Sequence, residues 1–200
     1  AGKHWIIPGT FLSDNFEISY GLGTLTITKA ELQIRAKDSG KMYSDMDPEL
    51  DYEVNGLYGT DMLTGSLLRD PGENAGVYEI RQGSVNAGDN YNITFVPGKF
   101  SIGQKVLKVT AAGIDKEYDG NRTAQVVLSD DRISDDSFEL SYTGASFSDK
   151  NAGADKLITV SGISLQGDDA LNYTISNDIV TTTASILVKP INVTALPDSK

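Results

Sequence analysis

The chain is built on a repeat. Lys29-Ala-Glu-Leu-Gln-Ile-Arg-Ala36, Gln104-Lys-Val-Leu-Lys-Val-Thr-Ala111 and Val188-Lys-Pro-Ile-Asn-Val-Thr-Ala195 open alike. Leu32, Ile34 and Ala36 alternate with polar residues, as do Leu107, Val109 and Ala111, and Ile191, Val193 and Ala195. That period of two marks a strand with one face buried. Three further anchors follow in the same order. Lys41-Met-Tyr43 stands 75 positions before Lys116-Glu-Tyr118. Asn74-Ala-Gly76 matches Asn151-Ala-Gly153, and Ala1-Gly2 matches Ala75-Gly76. Asn15-Phe16-Glu-Ile18, Asn90-Tyr91-Asn-Ile93 and Asn172-Tyr173-Thr-Ile175 each lead into a last strand. Anchors that recur in register imply units that fold alike.

The repeat divides the chain into four pieces: residues 1–28, the C-terminal part of a preceding repeat; 29–103 and 104–188, two complete repeats; and 189–200, the first strand of a following one. Short candidate strands fill both complete repeats. Turn chemistry separates them at Asp70-Pro-Gly72, Pro97-Gly98, Asp119-Gly-Asn121 and Gly167-Asp-Asp169. No stretch carries a helical stripe beyond one turn near Gly167 to Leu171. The expected fold class is all-β, with tandem small antiparallel modules. About seven short strands per unit suggest an immunoglobulin-like sandwich, and a β-grasp-like sheet is the alternative. The joint Ile102-Gly-Gln-Lys-Val106 has no flexible linker, so the expected arrangement is end to end, as a rod.

Charge and composition narrow the function. The net charge of −11 opposes nucleic acid and anionic lipid as partners. No apolar run approaches the roughly 20 residues that cross a bilayer, so no membrane insertion is expected of this segment. Without cysteine there are no disulfides, no thiol catalysis and no cysteine zinc site.

The remaining chemistry is sparse. His4 is the single histidine and stands in no triad pattern. Carboxylates cluster in turns, where aspartate is favoured for its bonds to the backbone, and no pair suggests a glycosidase cleft. No catalytic residue is expected, and no cofactor other than possible calcium. Calcium gathers about six to eight oxygens, often from acidic extracellular loops. The candidates are Asp130, Asp131, Asp135 and Asp136, followed by Asp45 and Asp47; neither set has EF-hand spacing, and solvated turns explain both. Tyr43, Tyr78, Tyr91, Tyr118 and Tyr173 read as core aromatics with hydroxyls satisfied by backbone, ahead of a sugar platform. Lys41 and Lys116, each two before a tyrosine, read as exposed lysines ahead of partners in a Lys–Asn isopeptide crosslink.

Two repeat families resemble these units. Lys116-Glu-Tyr118-Asp119-Gly120, Phe147-Ser-Asp-Lys-Asn-Ala-Gly153 and Asn172-Tyr173-Thr-Ile175 resemble the YDG repeat. Lys41-Met-Tyr43-Ser44, Leu63-Thr-Gly65, Gly72-Glu-Asn-Ala-Gly76 and Asn90-Tyr91-Asn-Ile-Thr-Phe95 resemble the MBG repeat, with Tyr43-Ser44 in place of its usual Tyr-Gly. The resemblance implies a large secreted or cell-surface bacterial protein, of the filamentous-haemagglutinin-like or other adhesin kind, and no enzyme. It implies a non-catalytic stalk or spacer whose partners are neighbouring repeats of the same chain. The alternative is a module that binds a host or microbial glycan or protein through its inter-strand loops.

Overall fold

The computed structural model describes residues 1–9 and 12–196, and over them the chain is all-β apart from one turn of 3-10 helix at Ala170–Asn172. Two compact units are present. The first holds residues 1–41 and 45–102; the second holds residues 42–44 and the chain from Gly103 onward.

The first unit begins with an antiparallel hairpin of β1 (Gly2–Ile6) and β2 (Gly23–Ile27). Seven strands follow: β3 (Ala30–Ala36), β4 (Ser39–Met42), β5 (Tyr52–Asn55), β6 (Leu68–Arg69), β7 (Gly76–Arg81), β8 (Tyr91–Val96) and β9 (Gly98–Gly103). They make a three-stranded sheet, β5-β3-β8, and a four-stranded sheet, β4-β9-β7-β6. Leu32, Ile34 and Ala36 of β3 point inward, as their spacing demands, and so do Phe100 and Ile102 of β9 and Ile80 of β7.

The second unit repeats this plan over β10 (Lys105–Leu107), β11 (Val109–Ile114), β12 (Lys116–Glu117), β13 (Gln125–Asp130), β14 (Glu139–Ser141), β15 (Gly144–Phe147), β16 (Gly153–Ser161), β17 (Ser164–Gln166), β18 (Tyr173–Ile175) and β19 (Ile179–Leu187). The four-stranded sheet β12-β19-β16-β15 stands where β4-β9-β7-β6 stands in the first unit. One hydrophobic cluster, centred on Leu107, Phe147, Ile158, Val160 and Ile186, joins its strands to β10 and the turns. Both units are therefore small modules of the β-sandwich kind.

Registers show how closely the plan recurs. Gly76 pairs with Ile102 and Gly153 with Ile186, so the Asn-Ala-Gly anchor meets the end of the last strand in both units. Ala30 pairs with Tyr91 and Lys105 with Tyr173. The Tyr43 N–H donates to Gly103 O at 2.8 Å and the Tyr118 N–H to Leu187 O at 2.9 Å. The N-terminal hairpin has the same register, Gly2 opposite Ile27. Its Ile6, Leu25 and Ile27 match Ile80, Phe100 and Ile102; the first three are about half exposed and the second three buried.

The modules are not purely antiparallel, which corrects the sequence reading. β3 runs parallel to β8, β10 to β18, and β12 to β19. Turn residues reveal only neighbours joined by a short loop. A parallel ladder joins strands far apart in sequence and leaves no turn signature. Residues 189–196, part of the expected first strand of a following repeat, carry no strand. In the two units that strand is held by the Asn-Tyr strand, 61 and 68 residues later. Residues 197–200 of that expected strand lie outside the described residues.

Candidate functional site

The most elaborate polar arrangement occurs twice. Tyr91 and Tyr173 open β8 and β18 and are 6% and 3% exposed. The Tyr91 hydroxyl donates to Asp61 Oδ2 at 2.6 Å and accepts the Tyr58 N–H at 3.1 Å. The Asp61 N–H returns to Tyr58 O at 3.2 Å, closing a four-residue turn. In the second unit the Tyr173 hydroxyl donates to Asp136 Oδ2 and accepts the Ile133 N–H at 3.0 Å, and the Asp136 N–H returns to Ile133 O at 3.0 Å. Each ring ties a turn to the start of the strand that pairs parallel with the unit's first strand. Leu32 to Asp61 and Leu107 to Asp136 are the same distance along the chain, 29 positions.

The second corner carries more. Tyr43, within the second unit, donates its hydroxyl to Asp136 Oδ1 at 2.9 Å. Its ring meets Tyr173 edge to face, centroids 5.6 Å apart, and Phe138 lies 5.0 Å from Tyr173 on another side. Burial, reinforced by the Asp136 carboxylate, pushes both phenols up to about 12. Beside them the Arg132 guanidinium lies over Phe138 at 3.8 Å, grips Asp130 through Nε and NH2, and donates to Phe138 O. That grip lowers the Asp130 carboxyl below its ordinary range.

The six aspartates proposed for calcium are thus spread over different tasks. Asp130 is held by Arg132, Asp131 accepts the Lys108 N–H at 2.8 Å, and Asp136 takes two tyrosine hydroxyls. Asp47 belongs to an ion cluster in the first unit. Asp45 and Asp135 are exposed and make no side-chain hydrogen bond or ion pair with the described residues. Among the described residues no three His, Cys, Asp or Glu side chains converge as metal ligands.

The ion cluster gathers Lys41 and Arg69, both nearly buried at the side chain, around Asp47 and Glu73. Arg69 also lies 4.9 Å above the Phe100 ring. It holds Asp47 down to about 2, and Lys41 adds to the effect. Lys41 is raised in turn by Asp47 and then Glu73. A Lys–Asn isopeptide bond needs a neutral amine as nucleophile, and the two carboxylates favour the charged form of Lys41. Lys116 ends on Asp119 Oδ1 at 2.9 Å and Asn121 Oδ1 at 3.0 Å, in the turn after β12. The sequence reading of both as exposed lysines is corrected, because each side chain is drawn inward across its strand. His4 lies on β1 opposite Leu25, exposed.

The sequence placed the recurring tyrosines in the core but assigned their hydroxyls to backbone. Tyr78 follows that pattern, donating to Asn74 O at 2.7 Å, while Tyr91 and Tyr173 accept a backbone N–H and in addition donate to an aspartate. The aspartate halves of the two corners carry no shared motif, because Tyr58-Gly-Thr-Asp61 and Ile133-Ser-Asp-Asp136 have only the final residue in common. The constant offset of 29 positions was the available signal.

No helix among the described residues is long and apolar enough to cross a membrane. Neither the curated proteins nor the solved structures compared with the chain give a match. Residues 32–101 match the MBG domain (YGX type), and residues 103–184 match the YDG domain. The chain accordingly joins an MBG domain of the YGX type to a YDG domain, two families found in large bacterial surface proteins.

Proposed function

We propose that this segment is a non-catalytic spacer in a secreted or surface-attached bacterial adhesin, and that its partners are the neighbouring repeats of its own chain. One observation carries the reading. Asp47, Asp61, Asp130, Asp131 and Asp136 serve as fasteners within their units, and the same fastener, Tyr91 on Asp61 and Tyr173 on Asp136, recurs at equivalent positions. A carboxylate that already accepts a phenol hydroxyl and closes a turn is poorly placed as a general acid or a cation ligand. Neither family is known for an enzymatic activity. Residues 1–28 and 189–200 fit the same reading as parts of flanking repeats.

The test is replacement in the parent protein. Exchanging residues 29–188 for an unrelated all-β spacer of equal length is expected to preserve adhesion. Loss of adhesion on exchange, together with binding of the isolated segment to a glycan or protein array, overturns the reading in favour of a binding module.

A further inference from the structure

Asp136 accepts two tyrosines, Tyr173 from its own repeat and Tyr43 from the Lys-x-Tyr anchor of residues 41–43. The next Lys-x-Tyr anchor ends in Tyr118. Its backbone is pinned as that of Tyr43 is, by an N–H bond to the end of the last strand. Its ring is half-buried, yet its hydroxyl has no hydrogen-bond partner among the described residues. Asp61 accepts from Tyr91 alone. The two corners therefore differ by one tyrosine, and an anchor tyrosine of the right kind is left over.

We propose that Tyr118 is a docking residue for a following repeat: its hydroxyl donates to the aspartate lying 29 positions after that repeat's first inward strand residue, beside that repeat's own Asn-Tyr tyrosine. The partner has a defined chemistry. It is an ionised carboxylate at the end of a four-residue turn, already holding one phenol and offering its second oxygen and an aromatic edge. A repeat opening at Val188-Lys-Pro-Ile-Asn-Val-Thr-Ala195 would place that aspartate 29 positions beyond Ile191. The inference rests on the array reading given above, with each anchor tyrosine completing the unit that comes next.

The experiment uses the full chain and an extended chain in which residues 104–187 are copied once more directly after Leu187, so that Gln104 of the copy takes the place of Val188. Tyr43→Phe and Tyr118→Phe are compared in both by chemical unfolding, since phenylalanine keeps the ring and removes the hydroxyl. In the 200-residue chain, Tyr43→Phe is expected to raise the unfolding equilibrium constant about tenfold and Tyr118→Phe to leave it unchanged. In the extended chain, Tyr118→Phe is expected to raise the constant for the added copy by a similar factor. That effect should vanish when the added copy carries asparagine in place of the aspartate equivalent to Asp136. A silent Tyr118→Phe beside an effective Tyr43→Phe overturns the proposal alone. Silence of both overturns it together with the array reading beneath it.

Discussion

The Tyr91 hydroxyl lies 2.6 Å from Asp61, and the same bond recurs between Tyr173 and Asp136, 75 positions after Asp61. In each case one phenol satisfies a backbone N–H and a carboxylate at once. The hydroxyl thus ties both ends of the turn to the start of the strand. A hydrogen bond to an ionised carboxylate contributes about 1.5–3 kcal/mol, roughly twice a neutral one.

Tyr173→Phe should therefore lower the stability of the second unit by about 1–3 kcal/mol, because Ile133 N–H and Asp136 lose their shared partner. Tyr91→Phe should act in the same direction on the first unit. Urea unfolding followed by far-ultraviolet circular dichroism measures both. A midpoint unmoved by Tyr173→Phe would show that the ring merely accompanies the turn.

Alkali should weaken the second unit. Tyr43 and Tyr173 are raised from 10.0 to about 12, so the folded state keeps protons that the unfolded chain releases. Groups raised in this way contribute stability that is complete below about pH 10 and is lost as pH rises toward 12. The double variant Tyr43→Phe, Tyr173→Phe should be less stable at neutral pH and lose less between about pH 10 and 12. A parallel loss in the variant and the parent would rule out these two phenols as the cause.

Acid should weaken the first unit for the opposite reason. Arg69 and Lys41 hold Asp47 at about 2, below its ordinary 3.8. The folded state thus stays ionised where the unfolded chain takes up a proton, and the contribution, present above about pH 4, disappears as pH falls to 2. Asp47 is partly exposed, so screening reduces the effect and added salt should reduce it further. Arg69→Met keeps the stem against Phe100 and removes the charge. Its urea midpoint should fall at neutral pH and change less on acidification than the parent's. An equally steep acid limb in Arg69→Met would rule out the cluster.

Much of this was legible because the repeat is strict where strands are central. Leu32, Ile34 and Ala36 alternate cleanly and are all buried, and the Asn-Ala-Gly and Asn-Tyr anchors fall at the matching ends of paired strands. What escaped were features without a local period. The parallel ladders join residues 61, 68 and 70 apart, and the aspartates of the corners lie in turns whose other residues vary between repeats. Ionised clusters such as Lys41–Asp47–Arg69–Glu73 assemble from three separate segments, and sequence spacing does not announce that kind of meeting.

Ser44 provides a last test, because it stands where the MBG repeat usually has glycine. Its backbone is left-handed, with φ of 70°, and among the described residues Asp155 is the other non-glycine residue with positive φ. In the second repeat the positive φ falls one position later, at Gly120, with φ of 82°. An L residue with a Cβ pays about 1–2 kcal/mol for that region. Glycine enters it freely but is more disordered when unfolded, which returns roughly 0.5–1 kcal/mol. Ser44→Gly should thus stabilise the second unit by a net amount on the order of 0.5–1 kcal/mol. Ser44→Val should destabilise it, since a β-branched side chain tolerates left-handed backbone poorly. Gly120→Ser should destabilise in mirror fashion. Denaturation midpoints for the three variants decide the matter. If Ser44→Gly lowers stability, the serine side chain must be holding the turn after Tyr43, and the positive φ is then a consequence of that hold.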